Sequence, residues 1–316
     1  MAWNDTYGEL LNLEDKETYM HCVISFLHTS QRKTMSYKYG FFKSILDNLF
    51  NVDDNYSLYF NDLNISFARI YWNLCNKYEL PQSSSENQIS SMERIINNFQ
   101  TKYRGFLSPN FDDLVDDIKN EYLIATYKIV KKDVVGALYS DLNSKIYGFN
   151  KQDSKIWFNK EVYNFLVQNK VVLEKLNYYS WIIWTEKALE RRHQSTGNIA
   201  IKIDLSNKRS SLKSFKQQLF SKEENMYCFY CGKKISANDN HIDHFIPWSF
   251  VKDDQIWNLV PTCSNCNLRK NDKIPSEKDL NRLLIRNNEL LNFSYEDKLR
   301  LLYVSALNNG FIHWEK

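Results

Sequence analysis

The stretch CFYCGKKISANDNHIDHFIPWSFVKDDQIWNLVPTCSNCNLRKNDK, residues 228–273, concentrates the chemistry of this chain. Cys228 and Cys231 form one CxxC pair, and Cys263 and Cys266 form a second. Each pair presents two thiolates from a tight turn, and two such turns brought together close a tetrahedral site without an open position. Four thiolates leave no room for an activated water. The spacing therefore predicts a structural zinc that folds a small domain, with any chemistry supplied by other residues. Two redox CxxC motifs are the competing reading, but no βαβ context of the thioredoxin kind surrounds them.

Between the pairs lies HIDHFIPWSF, residues 241–250, followed by DDQIWNLVPTCSNCNLRKNDK, residues 253–273. Asp243-His244, then Asn258, then Asn267 directly after the last cysteine with Lys270 three residues on, is similar to the HNH nucleases of the ββα-metal superfamily. The likeness is to the bacterial branch that carries its fold on two CxxC pairs, and it covers about fifty residues of the 316. The resemblance implies that His244 is the general base and that Asp243 is a ligand of a catalytic cation. Asn267 is then the second ligand, and Asn258 holds the loop between them by hydrogen bonds. Many relatives end on histidine where this chain has Asn267. An amide and a carboxylate oxygen together suit magnesium or manganese better than zinc. The resemblance also implies products with 5′-phosphate ends.

These residue types suit the chemistry independently of the family. Phosphodiester hydrolysis needs a nucleophile placed in line and positive charge where negative charge builds. A neutral imidazole accepts a proton from water near neutral pH, whereas a lysine is already protonated. Taken alone, an Asp-His dipeptide is more often a surface turn or a cap. His241 shares a strand face with Asp243, which admits either a place beside the metal or phosphate or a spectator role. Arg269 and Lys270 follow Asn267 where cations meet a phosphate backbone, a solvated helix face being the simpler alternative. Pro247 biases Ile246 toward extended backbone. Trp248, Phe250 and Trp257 are expected to form the small core of the finger.

Upstream, Ile199, Ile201, Ile203 and Leu205 alternate with other residues and predict a short strand. Lys202, Lys208, Arg209, Lys213 and Lys216 make the segment 199–220 a basic connector, ordinarily a solvated face but here placed just ahead of the motif. Helical periodicity dominates the preceding two hundred residues. Tyr37, Phe41, Phe42, Ile45, Leu46 and Leu49 form one apolar stripe, and Phe67, Ile70, Tyr71 and Leu74 another. Pro81 to Asn87, with three serines, reads as a loop or a subdivision near 81–90, before a helix through Met92, Ile95, Ile96 and Phe99. An amphipathic stretch runs from Leu114 to Leu142. Glu161 to Leu176 leads into the aromatic segment Tyr178, Tyr179, Trp181 and Trp184, as one long helix or two.

The expected organisation is thus mainly α with a small α+β module toward the C-terminus. A helical region spans 1–220, a zinc-stabilised HNH nuclease domain 221–285, and a helical extension 286–316. With 43% apolar and 15% aromatic residues the chain has ample core material, and a net charge of +3 permits a polyanionic partner without demanding one. Six cysteines, four of them in two close pairs, suit a metal site better than a disulfide framework, and Cys22 and Cys75 read as buried small hydrophobes. No apolar run approaches the ~18 residues of a membrane span, so the cytoplasm is the default location. The leading function is an endonuclease acting on DNA, with the helical region choosing substrate, docking a protein partner or restraining activity. Restriction or antiphage defence in bacteria is the setting the resemblance suggests. The alternatives are a zinc-finger module that binds nucleic acid or protein without catalysis, an RNA-directed nuclease and a mobile-element nuclease.

Overall fold

A computed structural model describes residues 5–11, 16–28, 33–206, 212–222, 227–235 and 239–315. Lys208, Arg209 and the side chain of Lys213, three of the basic connector residues, lie outside the described set. The chain divides into two compact units, Met1–Lys208 and Arg209–Lys316. The boundary thus falls before position 220, and neither the loop at 81–90 nor position 285 divides a unit. No helix among the described residues is long and apolar enough to cross a membrane.

The first unit is built on helices α1 (Lys16–Leu27), α2 (Tyr37–Asn48), α3 (Phe60–Trp72), α4 (Ser91–Lys102), α5 (Asp116–Ile129), α6 (Val135–Asp141), α7 (Lys160–Gln168), α8 (Lys170–Arg191) and α9 (Ile199–Leu205). Both apolar stripes are core: Phe41, Phe42, Ile45, Leu46, Leu49, Phe67 and Tyr71 are fully buried. Gly40 lets α2 and α3 approach, since a Cβ there would collide with the Tyr71 ring. Burial opposes the charge on Lys43 of α2, but Asp47 and Glu174 outweigh it and hold the ammonium above the ordinary lysine range. The loop at Pro81–Asn87 is pinned rather than a linker, because Ser83 bridges Met35 and the Gln82 carbonyl accepts from the Ser36 N–H.

A four-stranded antiparallel sheet, unforeseen from the sequence, runs β1 (Tyr7–Gly8), β3 (Gly148–Asn150), β4 (Lys155–Trp157), β2 (Ser57–Tyr59) in spatial order. The stretch 161–184 forms two helices, broken at Asn169, which takes non-helical backbone angles and caps the carbonyl of Phe165. The strand expected at 199–205 is instead α9. Ile199 and Ile203, one helical turn apart, are buried, whereas Ile201 is 57% exposed. The four-residue period is therefore the one that burial uses, and the alternation is incidental.

The second unit contains α10 (Lys213–Lys222), strand β5 (His241–His244), α11 (Trp248–Val251), strand β6 (Leu259–Thr262), α12 (Ser264–Lys270), α13 (Glu277–Leu291) and α14 (Glu296–Asn308). Strands β5 and β6 pair antiparallel, with His241 opposite Thr262 and His244 opposite Leu259. Leu219 of α10 packs with Ile242 and Leu259 of the hairpin, which places α10 in this unit. Phe250 and Trp257 are buried and Trp248 half-buried, against Phe311, Tyr295 and the Lys252 ammonium respectively. The helical extension 286–316 packs within this unit. From α13, Arg282, Arg286 and Asn287 donate to the carbonyls of Phe229, Leu259 and Trp257. The final strand-like turn also joins in, for Ile274 exchanges backbone bonds with Ile312 and Trp314.

Candidate metal centre and nuclease site

The first cysteine pair sits on a tight turn. The Cys228 N–H donates to the Lys233 carbonyl, the Gly232 N–H donates to the Cys228 carbonyl, and Gly232 takes φ +71, a left-handed conformation open to glycine at little cost. The second pair lies where β6 turns into α12, with Cys263 capping the helix and Cys266 in its first turn. The two turns meet because the Phe229 N–H donates to the Pro261 carbonyl. All four sulfurs lie within 4.8 Å of one another, and those of Cys231 and Cys263 are 3.9 Å apart. Sulfurs held at about 2.3 Å from a tetrahedral zinc stand about 3.8 Å apart. The set therefore fits a structural metal such as zinc.

The electrostatics of the sulfurs agree. Burial opposes ionisation of Cys228, yet backbone N–H groups of Cys231, Cys263 and Tyr230 and the Thr262 hydroxyl outweigh it and bring the thiol down to about 6. Burial and then the crowding of neighbouring sulfurs push the Cys266 thiol up. Four adjacent thiolates repel one another, and a divalent cation at their centre is what lets them ionise together.

Strand β5 alternates as its period requires: His241 and Asp243 lie on the more exposed side, Ile242 and His244 on the buried side. The Asp243 carboxylate is 11% exposed, accepts a hydrogen bond on Oδ2 from the Tyr230 hydroxyl at 2.7 Å, and is paired with the Lys270 ammonium, 3.0 Å from the same oxygen. Burial, and then Asp243 itself, raise the Tyr230 phenol well above its ordinary pKa, so it remains a donor. His244 is 2% exposed and its Nε2 lies 2.7 Å from Asp254 Oδ1. The Asn258 amide closes the intervening loop like a staple: its Oδ1 accepts from the Ile246 N–H at 2.8 Å and its Nδ2 donates to the Ile246 carbonyl at 2.9 Å.

The remaining sequence candidates separate. Asn267 is half-buried in the middle of α12, its backbone N–H donating to Cys263. Arg269 is exposed. His241 is exposed, with Nε2 3.8 Å from Asp239. Lys270, expected to meet phosphate, is turned inward instead. Its ammonium is fully buried and donates to the His244 carbonyl at 2.7 Å as well as pairing with Asp243. The reason is helical phase: Lys270 follows Cys266 by four residues and so shares its interior face, while Leu268 and Arg269 point outward. Two further residues touch the site, Tyr230 and Asp254. The only trace of the first is an aromatic inside CFYC, and of the second an acidic pair ten residues beyond His244.

No solved structure matches this chain. Residues 228–276 match the family model described as HNH endonuclease, so the C-terminal unit carries an HNH domain built around the two cysteine pairs.

Proposed function

We propose that this HNH domain is a metal-dependent endonuclease that hydrolyses phosphodiester bonds of DNA, leaving 5′-phosphate ends. The observation that carries the reading is the family match, whose span contains Asp243, His244, Asn258 and Asn267 in the order the chemistry requires. Asp243 and Asn267 would hold a magnesium or manganese ion. The Asp243 carboxylate and the Asn267 amide supply hard oxygen donors, the kind such an ion prefers. When bound, the ion supplies positive charge to the phosphate and the departing 3′ oxygen.

The protein's own residues move the proton. The contact between His244 Nε2 and the Asp254 carboxylate, 2.7 Å, fixes the orientation of the imidazole. We assign the imidazole as the base that takes a proton from water as the water oxygen bonds to phosphorus and the bond to O3′ breaks. Asn258 fixes the loop that bears Asp254, so the base and its orienting carboxylate are set by one closed segment. We assign phosphate contact to His241 and Arg269, both of which are exposed. We assign the helical first unit to substrate choice, partner docking or regulation. Bacterial restriction or antiphage defence in the cytoplasm is the setting that the resemblance favours.

One observation favours a second reading, a binding module without catalysis: the His244 ring is nearly as buried as a structural histidine. The two are separated by His244→Ala, assayed on supercoiled DNA, linear DNA and RNA with and without magnesium or manganese. In the catalytic reading the variant keeps its zinc and melting temperature and loses cleavage. Undiminished cutting by the variant rejects His244 as the base. Nucleic-acid binding by the wild type without cutting under any divalent ion establishes the second reading.

A further inference from the structure

We infer that Tyr230 is a positioning residue that ties the cation-binding aspartate to the zinc knuckle. This rests on the reading of Asp243 as a ligand of the catalytic ion. Tyr230 stands between Cys228 and Cys231, so its backbone is fixed on both sides by residues of the four-sulfur cluster. The side chain leaves the knuckle and delivers its hydroxyl to Asp243 Oδ2 at 2.7 Å. The ring is 4% exposed and is clasped edge-on by Phe229 at 5.3 Å and by Trp314 at 4.9 Å between ring centres. Trp314 is itself held by the Trp314 N–H donating to the Ile274 carbonyl at 2.7 Å. A chain of fixed groups thus runs from the metal knuckle and the C-terminal turn to one carboxylate oxygen.

The consequence is directional. Lys270 also bonds Oδ2, and a lysine and a divalent cation compete for the same carboxylate. The Tyr230 hydroxyl and the Lys270 ammonium both reach Oδ2, so the hydroxyl opposes rotation of the carboxylate toward the ammonium. Without it the carboxylate turns further onto the ammonium, and cation binding weakens. Groups that orient a metal ligand typically contribute 10–100-fold in metal affinity. The hydroxyl is expected to contribute toward the lower end, because Lys270 still orients the same oxygen.

The test is manganese binding to the zinc-loaded full chain, read by electron paramagnetic resonance, for the wild type, Tyr230→Phe and Asp243→Ala. Phenylalanine keeps the ring packing and removes only the donor. The expected result is a manganese dissociation constant raised on the order of tenfold in Tyr230→Phe, with zinc content and melting temperature unchanged. Cleavage should then need more manganese to reach half its maximum, while the maximal rate stays within about twofold. Manganese bound by Tyr230→Phe as tightly as by the wild type, while Asp243→Ala loses it, overturns the inference and leaves the site reading intact. Equal binding by the wild type and Asp243→Ala overturns the site reading itself. Loss of zinc from Tyr230→Phe also overturns the inference, since the hydroxyl would then serve the knuckle.

Discussion

Replacing Lys270 by methionine separates an internal staple from a phosphate contact. The ammonium bonds Asp243, the His244 carbonyl and, at 3.3 Å, the Asn271 carbonyl, with no exposed surface. Methionine has similar length and removes the charge. Breaking a buried ion pair from one side costs about 3–5 kcal/mol, because the partner is left buried and uncompensated. Asp243 keeps the Tyr230 hydroxyl and some solvent, which places the cost near the lower end, about 3 kcal/mol. At ~1.4 kcal/mol per tenfold, the local opening equilibrium between β5 and α12 should rise on the order of 100-fold. Amide hydrogen exchange of peptides spanning 241–246 and 264–271, in the zinc-loaded full chain, reads this directly. Arg269→Ala is the control: exposed beside Lys270, it should leave exchange unchanged and reduce the slope of log affinity for DNA against log salt by about 0.9. Exchange altered by less than threefold in Lys270→Met, together with a reduced salt slope, would refute the staple and restore Lys270 to the DNA surface.

Three further outcomes are expected. Cys228→Ser should lose zinc and melt the second unit while the first keeps its transition, as followed by metal analysis and calorimetry; retention of zinc would overturn the four-sulfur assignment. Asp254→Asn should retain zinc and melting temperature but lower DNA cleavage by about 10²-fold, since a positioned base is worth ~10²–10⁴; full activity would remove Asp254 from the site. In the first unit, burial lowers the Lys33 pKa from 10.5 to about 8, only partly offset by Asp141. Between pH 8 and 10.5 the unfolded chain holds the proton that the folded chain releases, so folding gains stability as pH rises through that window. Wild type should therefore gain melting temperature relative to Lys33→Met from pH 8 to 10.5, and parallel curves would contradict this.

The parts that could be read from the sequence are those encoded by neighbours. A CxxC turn needs only four residues, and two of them with Asp243, His244, Asn258 and Asn267 in order define the module. The stripes of α2 and α3 were equally plain, because twelve or more residues give the helical period room to show. Short elements defeat such reading. The strands of the first unit have two or three residues, too few for any alternation, and exist because β3 and β4 pair across a tight turn and recruit β1 and β2. Ile199–Leu205 fits both periods, and only packing chose the helical one. Lys270 shows the same limit: its charge suggests the surface, whereas its phase on α12 carries it to Asp243. Tyr230 and Asp254 act through contacts thirteen and ten residues away in sequence, which no local pattern encodes.

The grip of α13 on the neighbouring carbonyls bears on how the HNH domain is dissected. A fragment trimmed to the edges of the family match would stop at Ser276, before Arg282, Arg286 and Asn287, and would strip three main-chain acceptors of their donors. It would also discard Trp314, on which the tyrosine of the knuckle leans. The smallest autonomous piece is therefore larger than the signature that reveals it, and excising the signature alone should yield a molten remnant rather than a miniature enzyme.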